Sequence, residues 1–498
     1  MAGAGNKRKA GRAGRGAVGE GMAEEVEIAR EEELKEVCEA VLSRIKPSED
    51  EIQRVKDATE QIIERINEKA REYGIPARAI CVGSVARNTW IRGEEDIDIF
   101  ILFPEDFSEE ELRSEGLRLA KSVASEYEER YASHPYIHAF FEFPVGKNGE
   151  EKRVEADLVP CFAVRSASAI KSAVDRTPFH NDYLKERIKG LEDDVLLLKQ
   201  FLRALNIYGS ELKTMGFSGY LCELLILHYG SFINLLKEAS RWNFGTRIDI
   251  EKHGTYKSEG KEPLIVIDPV DPKRNVAAAL STFAFCRFID AARSFLRKPS
   301  QRFFFTEAEE AEGAEMSKEA FLRKVKERGT DFVMLVFDAP PVVDDILFPQ
   351  LRKAAISVRK LIERNEFVVF RHDFGAEGGK AFLLFEVFGE LPAIQRREGP
   401  PVTVKVHAER FKRKHLALNH IVRIDENGRL FAEFERKYRS VVELLSDKRN
   451  LLGCSLGKHV SEAIESGYKV LKNEEIEFFE GIGKFFKRYF SSTVSNDV

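Results

Sequence analysis

The chain has 498 residues, 43% of them hydrophobic and 32% charged, with 78 basic against 83 acidic side chains and a formal net charge of −5. At roughly 100–200 residues per domain, this length suggests about three domains, and the apolar fraction excludes a mainly disordered chain. The slightly negative total leaves a nucleic-acid partner open, because such binding depends on local basic patches. No apolar run reaches the ~18 residues that a bilayer span requires; the most apolar stretch, Val276–Cys286, is shorter and contains Ser281 and Thr282. Met1–Gly19 lacks an apolar segment, so no signal peptide is expected. Cys38, Cys81, Cys161, Cys222, Cys286 and Cys454 form no C-x-x-C pair. That spacing argues against a zinc ribbon or a disulfide framework and fits a reducing cytosol, so a cytoplasmic protein with no membrane attachment is expected.

Residues 1–24 open with five basic side chains, no acids and six glycines within the first nineteen positions, and read as a disordered basic arm. From Glu24 to Glu72 apolar residues recur at helical spacing, interrupted at Pro47-Ser48. The texture then changes. Ala79–Val82 reads as a strand, Gly83-Ser84 as a turn into a helix, Ile97–Phe103 as a strand, Glu109–Tyr131 as a helix, and Ile137–Phe143 and Arg153–Val159 as strands, giving an α/β domain over residues 25–185. Residues 186–300 are almost wholly helical in period, with Val276–Leu296 as the last helix. Residues 301–498 alternate again: strand Phe332–Phe337, helix Pro349–Arg364, then strands Phe367–Arg371, Ala381–Val387 and Val402–Val406. RNA-binding sheets are often built in such an order. Phe478, Phe479, Ile482, Phe485, Phe486, Tyr489 and Phe490 predict a final helix docked on the body or, as a homodimer contact, on a second subunit.

The chemistry concentrates in Cys81–Phe100. Side chains alternate along a strand, so Asp96 and Asp98 share one face while Ile97, Ile99 and Ile101 face the core. At ~3.3 Å per residue their Cα atoms lie roughly 6–7 Å apart, a separation from which two carboxylates can converge on a pair of Mg²⁺ ions. The preceding Gly83-Ser84 offers a glycine for close approach, free N–H groups and a hydroxyl for phosphate oxygens. Arg87 stands three residues on, within reach of the same anion. A third carboxylate, Asp157, sits in the β-like run Arg153–Pro160, where it costs desolvation unless a metal or donors neutralise it. Lys199 shares a helical stripe with Val195 and Leu202, an odd place for a charge unless it snorkels or meets an anion.

Gly-Ser, Asp-x-Asp and a later strand Asp, in this order, resemble the polymerase-β-like nucleotidyltransferase superfamily. Gly83–Trp90 with Asp96–Phe100, Val174–Tyr183, Leu198–Arg203 with Tyr208-Gly209, and Asp268–Val276 are together similar to the archaeal, class I CCA-adding enzymes, from about residue 30 to the C-terminus. The Glu-Asp-x-x-Arg motif of the class II enzymes is not found, and Asp96 stands where some relatives have Glu. The resemblance implies an α+β multidomain fold: a polymerase-β-like palm, a helical middle domain, and C-terminal α/β domains that grip RNA. It implies addition of C, C and A to the tRNA 3′ end from CTP and ATP with Mg²⁺ as cofactor. On the matching positions it gives Asp96, Asp98 and Asp157 as catalytic metal ligands. Ser84, Arg87, His180, Lys199, Tyr208 and, nearby, Thr177 become nucleotide contacts, and Arg274 the residue that reads the base edge. For the RNA, Arg410, Lys412, Arg413 and Lys414 surround Phe411 and suit phosphate and stacking contacts. The alternatives are a poly(A)- or oligoadenylate-type transferase, or a non-catalytic RNA-binding protein on the same fold.

Overall fold

Pro47 and Ser48 split the first helical stretch in two. Helix α1 (Gly16–Ile45) runs up to the break, beginning inside the segment expected to be a basic arm. Ser48 then opens α2 (Glu49–Glu72) with a capping box: its hydroxyl accepts the Glu51 N–H, and the Glu51 carboxylate takes the Ser48 N–H at 2.7 Å. This computed structural model describes residues 16–131, 135–145, 150–167, 169–305 and 315–491. The chain divides into two units, residues 1–311 with 492–498, and residues 312–491.

The main sheet of the first unit holds β1 (Arg78–Val82), β2 (Ile97–Phe103), β3 (Glu126–Tyr131), β4 (Pro135–Val145) and β5 (Glu150–Phe162), in the order β1-β2-β5-β4-β3. Within it only the β2–β5 pair is parallel. Ile97, Ile99 and Ile101 are buried against Ile62 and Ile66 of α2 and against Leu112 and Leu119 of α3 (Glu109–Val123). Each such side chain contributes about 1.5–3 kcal/mol by burial. The set also fixes register, because a slip of one residue would drive Asp98 into this core.

The helix expected over Glu109–Tyr131 ends at Val123. Ala124 is already extended, and the remainder forms β3 at the sheet edge. Its Glu126, Glu128, Glu129 and Arg130 are the charges that keep an edge from pairing further, and they mimic a solvated helix face in sequence. A helical layer completes the unit: α4 (Thr177–Lys185), α5 (Glu192–Ala204), α6 (Gly219–Tyr229), α7 (Phe232–Ala239) and α8 (Thr282–Arg297). A short parallel pair, β6 (Thr246–Ile248) and β7 (Leu264–Val266), lies between α7 and α8 in the chain. Phe201, Phe217, Phe232, Phe288 and Phe295 belong to the core of this layer. Helix α8 starts later than expected because the Ser281 hydroxyl caps it by accepting the Ala284 N–H. No single described helix is long and apolar enough to cross a membrane; α6 and α7 would be so only jointly, and they are bent by 91°.

In the second unit β8 (Asp331–Asp338), β9 (Val369–Glu377) and β10 (Lys380–Val387) form one sheet, and β11 (Ile394–Pro401), β12 (Ile421–Ile424) and β13 (Arg429–Glu435) another; β14 (Lys469–Lys472) joins the first, ordered β14-β8-β10-β9. The expected strand Val402–Val406 is absent. After Pro400-Pro401 the chain turns into a helix, Lys405–Leu416, and Val402, Val404 and Val406 are all exposed. The last helix spans Ile482–Phe490, shorter than expected because Gly481 precedes it at φ +82°. Its Phe485, Phe486 and Tyr489 are buried with Phe321, Phe332 and Phe382 of the same unit. Of the two placements expected for this helix, docking on the body is the one that buries these side chains.

His415, on the Lys405–Leu416 helix, is buried, and its Nδ1 lies 2.8 Å from Nδ1 of His420, which stacks on Phe434. One nitrogen must accept, so the pair cannot be doubly protonated. Burial, then His420, Lys414 and Arg397, push the His415 pKa below its usual 6.5. The unfolded chain therefore takes up this proton first, and the stability present above about pH 6.5 is lost as pH falls below it. The thermal midpoint is expected to drop between about pH 7.5 and pH 5.5 more in the wild type than in His415→Asn, as calorimetry would show.

Candidate active site

Strand β1 ends at Val82, opposite Asp98 of β2, and the chain must then turn away. Gly83 takes φ +76°, and a Cβ on it would stand 2.3 Å from Asp98 Oδ2. Only glycine lets the turn lie against that carboxylate. A single 3-10 turn, Val85–Arg87, comes next in place of the expected helix; Asn88, in the left-handed region at φ 55°, ends it. The Ser84 side chain caps no backbone group there.

Asp98 and Asp157 are register partners across the parallel β2–β5 pair, and Asp96 immediately precedes β2. All three line one cleft of about 960 Å³. Asp157 also faces His138 of β4, whose Nδ1 lies 2.7 Å from Asp157 Oδ1 and whose Nε2 lies 3.3 Å from Glu155 Oε2. Burial, then Asp157 and Asp96, raises the Asp98 pKa from its usual 3.8 to about 7. Burial, then Asp157 and Glu95, raises that of Asp96. These carboxylates repel one another, a condition that a divalent cation relieves. Among the described residues no group of three or more His, Cys, Asp or Glu side chains is already gathered to hold a metal ion. The fit of such an ion rests on the donor set: hard carboxylate oxygens, poorly compensated, on adjacent strands.

Arg87 is committed elsewhere. Its Nε and Nη2 donate to Glu223 at 2.9 and 2.8 Å, and its Nη1 donates to Asn181 Oδ1 at 2.8 Å. The two charged side chains are 7% and 1% exposed. Thr89 Oγ1 donates to the same Glu223 at 2.7 Å, and Lys199 Nζ donates to the Thr89 carbonyl at 2.6 Å. Burial lowers the Lys199 pKa, against the pull of Glu223. In this structure Arg87 and Lys199 form a brace from the turn after β1 to α4, α5 and α6. The reason is Glu223: a carboxylate buried in the apolar run of α6 must be paired. Tyr208 stands beside this brace, since a Cβ on Gly219 would lie 3.2 Å from its hydroxyl and 3.8 Å from Lys199 Cε.

His180 and Arg274 meet at a residue that sequence reasoning passed over. Asp268, wholly buried, has Oδ2 2.9 Å from His180 Nε2 and 2.8 Å from Arg274 Nη1. Its Oδ1 accepts the Tyr220 hydroxyl at 3.2 Å and the Val270 N–H at 3.1 Å. Burial pushes the Asp268 pKa up, but the His180 contact and these donors outweigh it and hold the group below the usual range. Thr177 opens α4, one turn before His180. The signal for Asp268 and Glu223 was a lone acid bordering or interrupting an apolar run, Leu264–Ile267 in one case and Tyr220–Leu227 in the other.

In the second unit Arg410, Arg413 and Lys414 are exposed on the Lys405–Leu416 helix, and Lys412 pairs with Glu409 at 2.9 Å. Phe411 is half-buried: its ring centroid lies 4.3 Å from that of His415, and the ring fills the space a Cβ on Gly399 would need.

Three family models match the chain in sequence order. They are "Nucleotidyltransferase domain" over residues 60–180, "tRNA nucleotidyltransferase, second domain" over 193–305, and "CCA-adding enzyme, C-terminal domain" over 328–473. Proteins named CCA-adding enzyme are similar along nearly their whole length. The one from Methanosarcina barkeri is 45% identical over 88% of this chain and 94% of its own. That from Archaeoglobus fulgidus is 40% identical over 89% and 96%, and that from Methanocaldococcus jannaschii 41% over 86% and 94%. Identity of this extent, spanning palm, helical layer and C-terminal unit alike, means that the chain belongs to the archaeal CCA-adding enzyme family.

Proposed function

We propose that this member of the family extends the 3′ end of tRNA by C, C and A from CTP and ATP without a nucleic-acid template, and that Asp96, Asp98 and Asp157 are its catalytic carboxylates. The observation that carries the reading is that all three acids line one cleft, with the Gly83 turn lying against Asp98. The terminal hydroxyl of the tRNA attacks the α-phosphorus and pyrophosphate leaves. Asp96, Asp98 and Asp157 would hold Mg²⁺, which supplies a lowered pKa at the attacking hydroxyl and neutralises charge on the triphosphate.

The chain's own contribution is positional. The buried isoleucines of β2 hold Asp98 rigid. Gly83 keeps the phosphate-side turn against it, and His138 orients Asp157. Ser84, Thr177 and His180 are nucleotide contacts in this reading and Arg274 reads the base edge, while Arg87 and Lys199, with Tyr208 beside them, brace the turn that carries Ser84. Residues 25–185 form the catalytic domain, 186–300 the central domain, and 301–498 the tRNA-gripping body with Arg410, Lys412, Arg413 and Lys414. The protein works in the cytoplasm.

Incubation of the protein with Mg²⁺, tRNA lacking its CCA end and labelled nucleotides tests the reading. Growth should stop after C, C and A and vanish with a chelator. A long A tail would indicate a poly(A)-type enzyme, and no extension at all a non-catalytic RNA-binding protein.

A further inference from the structure

Of the three carboxylates, Asp96 is the one that the sheet does not hold. Asp98 and Asp157 are fixed by register across β2 and β5, whereas β2 begins only at Ile97. Asp96 therefore takes its place from the loop before it. That loop leaves the core after Trp90 and Ile91, which are buried, and Arg92, Gly93, Glu94 and Asp96 are all exposed. Exposed loops of this kind open easily, yet this one is fastened at three points. Lys199 of α5 donates to the Thr89 carbonyl at 2.6 Å. Arg92 donates its N–H to the Ile45 carbonyl at 2.8 Å and its Nε to Glu51 at 3.2 Å. Glu94 forms an ion pair with Arg203, which stands one turn beyond Lys199 on α5. The Glu94 carbonyl also accepts the Asp96 N–H at 3.0 Å, and both residues line the cleft. The Arg203 guanidinium carbon lies 5.1 Å from the centre of the Tyr208 ring.

We propose that Glu94 and Arg203 are positioning residues for Asp96: their ion pair fixes the loop so that Asp96 meets a divalent cation together with Asp98 and Asp157. This rests on the function proposed above. The physical argument is one of preorganisation. A ligand on a free loop must be ordered at the moment of binding, and that ordering weakens affinity. One residue separates Glu94 from Asp96, and the hydrogen bond from the Asp96 N–H to the Glu94 carbonyl closes the gap. Holding the Glu94 side chain therefore holds the Asp96 backbone. The pair is placed for this rather than for stability: Arg203 and Glu94 keep 30% and 41% of their side chains exposed, and ion pairs so exposed contribute little to folding. Because Lys199 and Arg203 share a helix, α5 grips both ends of the Thr89–Glu94 segment. The first metal-binding acid is thereby tied to the helix that also braces the turn after β1.

Mn²⁺, followed by its electron paramagnetic resonance signal, probes the site in the full-length protein without turnover. Glu94→Gln keeps the shape and removes the charge. It is expected to weaken Mn²⁺ binding about 10- to 100-fold, the usual effect of losing a group that orients a metal ligand. In addition of C, C and A the same variant should need a correspondingly higher Mg²⁺ concentration, with KM for tRNA unchanged. Arg203→Gln should match it, and the double variant should lose no more than either alone. Arg203→Lys should recover part of the affinity. The thermal midpoint of chelated Glu94→Gln should stay near that of the wild type. Asp193→Asn is the control: it breaks a similarly exposed ion pair that ties α5 to Lys46 instead of to the loop, and it should leave Mn²⁺ affinity unchanged. Unaltered Mn²⁺ affinity in Glu94→Gln would overturn the inference. So would a loss in Arg203→Gln that Glu94→Gln does not share, since Arg203 would then act through Tyr208 alone. Equal Mn²⁺ binding by the wild type and Asp98→Ala would overturn the metal assignment beneath it instead.

Discussion

Asp98→Ala is expected to lower the rate of CTP incorporation about 10³-fold, the loss of several kcal/mol of transition-state stabilisation at 1.36 kcal/mol per decade. Asp98 occupies the centre of the acidic group: it is the register partner of Asp157, it is within electrostatic range of Asp96, and it lies against Gly83. Glu155→Gln is the control, because Glu155 lies two residues from Asp157 but is exposed, and it should retain near-normal activity. The same substitution at Asp98 should not destabilise the chelated protein. Three carboxylates that repel one another in the absence of a cation oppose folding, so removing the central one is expected to leave the thermal midpoint equal or higher. Loss of activity with an unchanged or raised midpoint marks a functional residue; loss of both marks a structural one. Near-normal incorporation by Asp98→Ala would remove Asp98 from the catalytic group.

The contrast between Asp98 and Arg87 shows what sequence alone conveys. Alternation of Asp and Ile over Asp96–Ile101 determines which side chains face the core, because the side-chain period of a strand admits no other solution once the isoleucines are buried. Gly83 is legible for a similar local reason, its positive φ and close approach being demands on one residue. The fate of Arg87 is decided 136 residues away by Glu223, and no local pattern announces that pairing. Asp268 belongs to the same class: its importance lies in His180 and Tyr220, which arrive from other segments. Where local patterns misled, as in β3 and at Val402–Val406, charge or alternation was present without the burial it usually signals. Local chemistry was readable, and long-range compensation of charge was not.

That compensation carries the second large expectation. Glu223→Ala should destabilise the protein by about 3–5 kcal/mol, the usual cost of removing one partner of a buried ion pair. The size reflects the groups left stranded. The Arg87 guanidinium is 7% exposed and would keep only its Asn181 contact, and the Thr89 hydroxyl would lose its acceptor. Lys199, also buried, would lose a nearby opposite charge. Arg87→Ala should cost a comparable amount, since it leaves the Glu223 carboxylate buried and unpaired, while Arg87→Ala with Glu223→Ala should cost less than the sum. Urea titration of the four proteins measures this coupling. The result separates the two roles open to Arg87. If it only grips phosphate, Arg87→Ala weakens nucleotide binding and leaves the urea midpoint in place. If it is the brace between the turn after β1 and α6, the midpoint falls in step with that of Glu223→Ala. The geometry favours the brace, because all three donor groups of the guanidinium are already engaged by side chains of α4 and α6.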